Sequence, residues 1–559
     1  MMKKIIISLA AAIMVAGCSL EPEFYSSVTP DVYYDSPSTI YSALARPFTH
    51  WRAFQQEYRW YLQEYPTDEL CSPQRYVHFE DGGMWAELHH HMWTPDHKCI
   101  IETWSAVGMG ISLSYAIAED LKDVDYEKCG LDNDIKADHQ RQLKALVAYF
   151  YLKGLDYFGG MPIYRGYSLQ EVERSSAKET FDFIEETLLD VIPGLKPYRK
   201  GMSHDGFITQ GAAASMLAEL YFNAISYIGE DHFAECAKVC QDIIDQKYGQ
   251  YELSSTWNAH FGFDNDKSSE VIWAAPSANS QFLCSWYFSQ SSPYNIANFY
   301  GSSGASAYNG VCLQPSLAPT GEPYTWKMGR PFRKYSDSDL RKKLYVYRGN
   351  KEYEGMFLMG KLINPVTGGT CTGNWDYSGE VIELVDMVAH FKQLGKEYPD
   401  VSVLPSDMYS GEENSGIRLV KYPTPNLADD AYRWDPDWVV IRLAEVYYML
   451  AECKFRAGDK TGAANLFNQV RKRDFAGADP DPVTDSNIDK YRILDEWMLE
   501  FLGEGRRRTD LIRWDVFTTE TWWDHNPSRK EYLKLFPLPT TAISNSNLLK
   551  QNPGYGENI

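Results

Sequence analysis

The sequence contains ten cysteines but no C-x-x-C pair. The nine cysteines that follow Cys18 are irregularly spaced, so the sequence predicts neither a zinc ribbon nor a disulfide scaffold. A G-x-S-x-G nucleophile motif is missing, and so is a metal-binding motif of the kinds known in enzymes. We therefore expect a protein that has no catalytic residues and binds no cofactor or metal.

Positive charge is scarce in this chain. Its 54 Lys and Arg residues face 76 Asp and Glu residues, which gives a formal net charge of −22. Removal of residues 1–17 would take away Lys3 and Lys4 and leave 52 − 76 = −24. A surface this acidic argues against binding to nucleic acid and to anionic lipid headgroups.

The N-terminal apolar run is too short to cross a membrane, since a span needs about 20 residues. It follows the basic pair Lys3-Lys4 and ends in Val15-Ala16-Gly17-Cys18, which resembles the bacterial lipobox. The sequence thus predicts a signal peptide over 1–17 and lipidation of Cys18, which anchors an otherwise water-soluble domain to a membrane. The alternative is an ordinary cleaved signal followed by a chance cysteine.

Residues 18–30 are predicted to form an extended tether after the lipidated cysteine. Pro22 and Pro30 favour an extended chain. Glu21 and Glu23 resemble the surface-export signal of Bacteroidetes lipoproteins. That resemblance implies a position on the outer face of the outer membrane.

Apolar residues recur at helical spacing through much of the remaining chain. The pattern predicts helices over 136–157, 179–192, 211–226 and 233–245, and a helical hairpin whose first helix runs from Asp437 to Arg456. The hairpin turn at Ala457-Gly458-Asp459, followed by small residues, resembles a tetratricopeptide repeat. We predict a mostly α fold, an irregular tetratricopeptide-like helical-repeat scaffold with long loop-rich inserts. Such scaffolds usually present binding surfaces.

Two stretches show little periodicity and are interpreted as long loops on this scaffold. Residues 24–95 are rich in Trp, Tyr and His, and residues 276–430 in Ser, Gly, Asn and aromatics. Loops on a rigid frame commonly carry recognition. We therefore divide the chain into an N-terminal helical part over 31–275, a recognition insert over 276–430 and a C-terminal helical part over 431–559. The three parts are expected to form one compact unit.

Several motifs, in order along the chain, resemble those of the SusD/RagB family. They are Pro66-Thr67-Asp68-Glu69, Asp81-Gly82-Gly83-Met84-Trp85, Phe158-Gly159-Gly160-Met161-Pro162, Ile441-Arg442-Leu443-Ala444-Glu445, Glu500-Phe501-Leu502-Gly503-Glu504-Gly505-Arg506-Arg507 and Gln551-Asn552-Pro553-Gly554-Tyr555. The resemblance implies a surface lipoprotein of Bacteroidetes with no chemistry of its own. Such a protein captures a glycan or peptide and passes it to a SusC-like TonB-dependent transporter.

Aromatic residues make up 14% of the chain, including 39 Tyr and 16 Trp, which suggests a surface that stacks on sugar rings. In the first loop region the candidate ligand-binding residues are Trp85, Asp68 and Arg75. For Trp85 the competing interpretation is packing near Trp93 or Trp104, and for Asp68 it is capping of the next helix. Candidate rings in the insert are Trp286, Tyr287, Tyr300 and Trp326, with Tyr294, Tyr308 and Tyr324 in the same polar surroundings.

Two further patterns are given structural interpretations. His89-His90-His91 cannot all face one ion, so packing or surface roles are favoured over a metal site. Glu496, Glu500 and Glu504 precede an arginine run, which predicts an intrahelical salt network more than the paired carboxylates of a hydrolase.

The leading hypothesis is therefore a lipoprotein that binds oligosaccharides for import. A peptide-binding protein of the same family, an envelope glycoside hydrolase and a pure interaction scaffold are the alternatives.

Overall fold

The computed structural model describes residues 33–277, 284–301, 307–388, 392–393, 396–397, 404–424 and 436–556. The predicted signal peptide, Cys18 and the tether over 18–30 lie outside these residues. Their assignment stays a prediction from the sequence.

Helices provide most of the regular structure in the described residues. They are α1 (Pro37–Phe54), α2 (Tyr58–Glu64), α3 (Met84–His89), α4 (Lys98–Lys122), α5 (Asn133–Phe158), α6 (Ala177–Val191), α7 (Gln210–Phe222), α8 (Ala224–Tyr227), α9 (Phe233–Ile244), α10 (Cys284–Ser291), α11 (Ala297–Tyr300), α12 (Pro331–Lys334), α13 (Leu443–Arg456), α14 (Lys460–Arg471), α15 (Lys490–Phe501), α16 (Arg507–Arg513) and α17 (Thr540–Asn545).

Most of the long helices pack against helices that are near them in the sequence. α4 packs along α5, α5 along α6, and α13 along α14, while α9 packs against α7 and also against α13, which follows much later in the chain. The sequence of α6 explains why this helix packs on its neighbours, because Phe181, Ile184 and Leu188 recur at helical spacing and form one buried face. That helix begins with a capping box in which Ser176 and Glu179 satisfy each other's backbone N–H, worth about 1 kcal/mol.

The predicted mostly α fold is confirmed, and four of its helices lie within a few residues of their predicted bounds, as α5, α6, α7 and α9. The predicted helix from Asp437 to Arg456 is wrong over its first part. Trp438–Arg442 is a strand that pairs antiparallel with Val271–Ala275, and the helix begins only at Leu443. The β-branched run Val439-Val440-Ile441 favours a strand at this position.

The interpretation of residues 24–95 as loops is also wrong for much of the described part. Helices α1, α2 and α3 lie there. The buried stripe of α1 includes Ile40, Leu44, Trp51 and Phe54. Its spacing is helical, but the aromatic and polar residues between these positions hide the pattern in the sequence.

Helix α4, which was not predicted, has the length and composition of a membrane span. These features alone are weak evidence, because core helices of globular proteins share them. In the structure α4 packs against α1, α2 and α5. It buries Ile100, Val107 and Ile111.

The described strands are short and form two-stranded antiparallel pairs. They are β1 (Leu70–Cys71), β2 (Val271–Ala275), β3 (Cys312–Leu313), β4 (Val346–Gly349), β5 (Glu352–Glu354), β6 (Phe357–Leu358), β7 (Gly360–Lys361), β8 (Glu383–Leu384), β9 (Lys392–Gln393), β10 (Lys396–Glu397), β11 (Arg418–Leu419) and β12 (Trp438–Arg442). The pairs are β1–β3, β2–β12, β4–β5, β6–β11, β7–β8 and β9–β10. The β1–β3 pair joins the first aromatic region to the insert, because Leu70–Cys71 pairs antiparallel with Cys312–Leu313.

The glutamates of α15 form ion pairs within the protein interior. Glu500 pairs with Arg341, Arg442 and Arg473, which come from three different segments. The expected intrahelical network is therefore wrong for Glu500. An intrahelical pair does occur between Glu496 and Arg492, 2.7 Å apart.

Candidate functional site

An open cleft lined by aromatic rings lies between α2, the start of α3 and the insert. Its volume is about 420 Å³. The rings that line it are Tyr58, Tyr61, His78, Phe79, Trp85, Tyr294 and Tyr308. The first five belong to the N-terminal region and the last two to the insert, so neither stretch forms the cleft alone.

Trp85 forms a fixed wall of this cleft. It follows a tight turn in which Gly82 and Gly83 have φ of 68° and 85°, a conformation that favours glycine. The indole N–H donates to Asp81 Oδ2 at 2.6 Å. The ring centroid of Trp85 lies 4.9 Å from that of Tyr61, and the residue is only 8% exposed. Trp85 thus both packs and lines the cleft. It packs against the rings of Tyr61 and Tyr65, and among the described residues it makes no ring contact with Trp93 or Trp104.

The rim carries two rings that are much more accessible. Tyr308 is 49% exposed and Trp375 is 43% exposed. The Trp375 ring centroid lies 5.0 Å from that of His78 and 5.5 Å from that of Tyr294. Large exposed rings beside a concave surface provide flat apolar faces for a ligand.

Five residues in or next to the cleft have a strained backbone. Glu57, Tyr76, Phe79, Asp81 and Trp375 have φ of 51°, 53°, 60°, 40° and 45°. Non-glycine residues rarely adopt this region, at a cost of about 1–3 kcal/mol each, and such residues often lie at functional sites. The folded protein therefore holds these side chains in a fixed arrangement.

Polar groups accompany the rings. Lys98 Nζ lies 5.3 Å from the centroid of the Tyr58 ring. A hydrogen bond with Tyr58 raises the pKa of Lys98, so this ammonium is charged at neutral pH. Asn374, next to Trp375, donates its backbone N–H to Glu413 Oε2 at 2.7 Å, which holds the turn that carries the indole.

Asp68 lies inside the protein, away from this cleft. Its Oδ1 accepts from Arg507 Nε at 2.7 Å, and its Oδ2 accepts from Arg507 Nη2 at 3.0 Å and from the backbone N–H of Gly329 at 2.8 Å. Burial alone would raise the pKa of Asp68, but Arg507 lowers it below its usual value. A wholly buried carboxylate with these partners is not available to a sugar hydroxyl, so we remove Asp68 from the site. The helix-cap interpretation is not supported either, since its partners lie in distant segments.

Arg75 is buried as well. Its Nη2 donates to the carbonyl oxygen of Gly310 at 3.2 Å and to Cys312 Sγ at 3.3 Å, and its Nη1 donates to the carbonyl of Glu412. The guanidinium therefore joins the first aromatic region to the insert from within. We assign it this structural role in place of ligand binding.

The four candidate rings of the insert do not line the cleft. Tyr287 and Tyr300 are each 4% exposed and pack in the core. Trp286 is half-buried behind Tyr61, with ring centroids 5.8 Å apart. Trp326 is half-buried and stacks on Tyr324, with ring centroids 4.4 Å apart. A side chain surrounded by Ser and Gly in the sequence can still face the core, because an irregular insert of this length needs a small core of its own.

Several residues in or beside the cleft carry no clear functional signal in the sequence. Tyr58 and Tyr61 are spaced as a helical core pair, and His78 carries no motif. Trp375 follows the Thr372-Gly373-Asn374 turn, and that turn composition was the available signal for an exposed ring.

Comparison with known proteins places these features in a family. The family model described as the SusD family matches residues 269–555, more than half of the chain. Starch-binding protein SusD of Bacteroides thetaiotaomicron is 25% identical over 439 residues, which cover 74% of this chain and 72% of that protein.

Two solved structures share the fold at low identity. A laminarin-binding SusD-like protein superposes with a TM-score of 0.65 at 17% identity, covering 93% of this chain and 100% of that one. Surface glycan-binding protein A from Bacteroides thetaiotaomicron, in complex with laminarihexaose, gives a TM-score of 0.65 at 17% identity, covering 92% and 99%. With the lipobox-like N-terminus, the helical frame and the ordered motifs, these matches lead to one assignment: this chain belongs to the SusD family.

Proposed function

We propose that this protein is a cell-surface lipoprotein that binds an oligosaccharide in the aromatic cleft and delivers it to a SusC-like TonB-dependent transporter. The observation that carries the proposal is the cleft itself, a set of packed rings that includes the exposed Tyr308, with the exposed Trp375 against two of its lining rings, His78 and Tyr294. Binding of starch by the SusD relative and of laminarihexaose by a protein of the same fold supports a glycan as the ligand class.

The chemistry of the cleft suits a sugar chain. A sugar presents apolar C–H faces that stack on aromatic rings, and hydroxyl groups that hydrogen-bond to polar side chains. Trp85 and Tyr61 would provide the rigid wall, Trp375 and Tyr308 the outer platform, and Lys98 and Gln290 polar contacts. A fixed platform lowers the ordering cost of binding, which favours affinity.

The buried state of the α15 glutamates argues against the hydrolase alternative at these residues. Arg473, Arg442 and Arg341 hold the pKa of Glu500 well below its usual value despite its burial, so it is not a proton donor at neutral pH. Glycoside hydrolysis requires an accessible acid and a second carboxylate across the substrate. Release of reducing sugar from a bound polysaccharide would revive that alternative.

Removal of a rim ring is expected to weaken glycan binding. Loss of one stacking platform costs about 1–2 kcal/mol, which is roughly a 5–30-fold increase in Kd. The measurement is isothermal titration of residues 19–559 with the best ligand from a glycan array that includes maltoheptaose and laminarihexaose, using Trp375→Ala and Tyr308→Ala.

Tyr167→Ala is the matched control for these variants, because Tyr167 has the same exposed fraction as Tyr308, 49%, but does not line the cleft. Its affinity should equal that of the wild type. Equal affinity in all three variants would exclude the cleft as the site. Binding of a tryptic peptide mixture together with failure of every glycan would favour the peptide alternative.

The proposed lipid anchor gives a separate prediction. Cys18→Ala should move the protein from the membrane fraction to the soluble or secreted fraction and abolish labelling by an alkyne palmitate analogue, because no other residue would receive the acyl chains. Protease treatment of intact cells should digest the wild-type protein if it lies on the outer face. A Cys18→Ala protein that stays membrane-bound and labelled would contradict the lipobox assignment.

A further inference from the structure

A second cluster of polar side chains lies where the end of α3 meets the C-terminal segment. His89, His90 and Asp524 each place one potential ligand atom within 4.8 Å of the others. We propose that these three residues bind one divalent transition-metal ion, with Zn²⁺ as the preferred ion. None of the cleft residues belongs to this cluster, so the proposal stands apart from glycan binding.

The first pair of ligands is already aligned. His90 Nε2 lies 2.9 Å from Asp524 Oδ2, and the same oxygen accepts the backbone N–H of Met408 at 2.8 Å. The side chains of His90 and Asp524 are 22% and 24% exposed, which leaves a path from solvent for the ion. The hydrogen bond from Met408 orients the carboxylate, as partners outside the ligand set commonly do in metal sites.

The third ligand, His89, has its tautomer fixed by the backbone. Its Nε2 lies 2.8 Å from the carbonyl oxygen of Trp523, and a carbonyl can only accept, so Nε2 carries the proton. The lone pair is therefore on Nδ1. This ring is wholly buried, and Nδ1 has no hydrogen-bond partner in the part of the chain that the structure describes. A histidine that donates one N–H to a carbonyl and keeps the other nitrogen free is the usual state of a metal ligand.

The donor set selects the ion class. Two imidazoles and one carboxylate suit Zn²⁺ and other first-row transition metals, whereas Ca²⁺ and Mg²⁺ prefer oxygen ligands throughout. His91 does not belong to this group of neighbouring ligand atoms, and its ring stacks on Phe517 with ring centroids 4.3 Å apart. The expectation that three consecutive histidines cannot face one ion therefore agrees with the geometry, and the missing ligand comes from Asp524, far along the sequence.

A second group of residues also has the spacing of metal ligands, but its surroundings are unfavourable for a cation. His260, Glu270 and Glu500 also lie close together, but they are buried among Arg442 and Arg473, which already pair with both glutamates. A dication placed beside two guanidinium groups would be repelled. Within the described part of the chain, no arginine forms an ion pair with Asp524, whose ion-pair partner is His90.

The experiment uses residues 19–559 without a histidine tag, after treatment with a chelator. Isothermal titration with ZnCl₂ should show one saturable site per chain, and Co²⁺ should give visible d–d absorption bands. His90→Gln and Asp524→Asn should each raise the Kd for Zn²⁺ at least about tenfold and reduce the Co²⁺ bands. Zn²⁺ should also raise the Tm of the wild type, because an ion that binds only the folded state stabilises it.

His232→Gln is the matched control. Nε2 of His232 lies 3.3 Å from a carboxylate oxygen of Glu230, but among the described residues His232 belongs to no group of three possible metal ligands. Its Zn²⁺ affinity should equal that of the wild type. Circular dichroism verifies that each variant is folded before titration. The proposal is overturned if wild-type binding is not saturable, or if folded His90→Gln and Asp524→Asn bind Zn²⁺ as tightly as the wild type.

Discussion

Glu500→Gln is expected to lower the free energy of unfolding by about 3–5 kcal/mol, which is the usual cost of breaking a buried ion pair from one side. Glu500 Oε1 lies 2.5 Å from Arg442 Nη1 and 2.5 Å from Arg473 Nη2, and Oε2 lies 3.1 Å from Arg341 Nη1. An uncharged amide would remove the one carboxylate that all three buried guanidinium groups share and would place an N–H₂ donor against them. Each arginine would keep a second carboxylate: Asp339 and Asp474 for Arg341, Glu270 and Glu504 for Arg442, and Glu270 for Arg473.

The position of this network explains why the effect should be global. Arg341 belongs to the insert, Arg473 follows α14, and Arg442 ends the strand that precedes α13. Glu500 thus joins the insert to the C-terminal helices through one carboxylate. Loss of its charge is therefore expected to shift the whole unfolding transition and not a local one.

The effect of Glu500→Gln should depend on pH in a defined direction. Although burial disfavours its charged form, the three arginines hold the pKa of Glu500 well below its ordinary value. A depressed carboxyl pKa contributes stability above the unfolded pKa, about 4.5, and loses it as the pH falls toward the folded pKa. The difference in the free energy of unfolding between wild type and variant should therefore have its full value at pH 7. It should shrink progressively as the pH falls below about 4.5.

Chemical denaturation followed by tryptophan fluorescence measures this difference. Glu186→Gln is the control, because Glu186 and Arg165 form an exposed pair with side chains 69% and 67% accessible. Exposed pairs contribute about 0–1 kcal/mol, so this variant should unfold almost as the wild type does. A Glu500→Gln protein within 1 kcal/mol of the wild type would contradict the role assigned to the network.

The helical frame is predictable from sequence because its signal is local. Phe181, Ile184 and Leu188 define one face of α6, and Ser176 and Glu179 mark its start. The same reasoning fails at β12, where Val439 and Ile441 suit both a buried helix and a strand. The strand is settled by its pairing with Val271–Ala275, which no local pattern reveals.

The cleft was only partly predictable. The Asp81-Gly82-Gly83 turn, where glycine is needed because φ is positive, pointed to Trp85. Trp85 lines the cleft although it is only 8% exposed, and its role in ligand binding stays a prediction. Tyr294 and Tyr308 were named among seven insert rings without a means of choosing between them. That choice depends on which rings fill the core of the insert, and Tyr287 and Tyr300 do. Such packing is set by contacts between distant segments.

Charged residues were the least predictable, because their partners lie far away in sequence. Asp68 pairs with Arg507, 439 positions later. His90 meets Asp524 across 434 positions. The sequence around a carboxylate beside a turn does not show whether the carboxylate faces a ligand or a buried guanidinium. The pattern therefore favoured a binding role for Asp68, which its burial does not support.

Asp68→Asn separates those two roles directly. We expect a loss of about 3–5 kcal/mol in the free energy of unfolding, because the substitution leaves the buried guanidinium of Arg507 without its two-oxygen partner. Arg507 would keep a weaker partner in Glu69, whose Oε1 lies 3.4 Å from Arg507 Nε. The backbone N–H of Gly329 could still donate a hydrogen bond to the amide oxygen of the asparagine. Glycan affinity should be unchanged at a temperature where the variant is folded, since Asp68 does not line the cleft.

The measurement pairs chemical denaturation with isothermal titration at 10 °C, using the oligosaccharide selected on the array. Asp182→Asn is the matched control, because Asp182 pairs with Lys178 at the surface, with side chains 50% and 47% exposed, and its loss should change neither quantity appreciably. A stable Asp68→Asn protein with affinity reduced tenfold or more would return Asp68 to the binding site. A destabilised protein with wild-type affinity would establish that this carboxylate stabilises the fold by holding Arg507 and takes no part in the cleft.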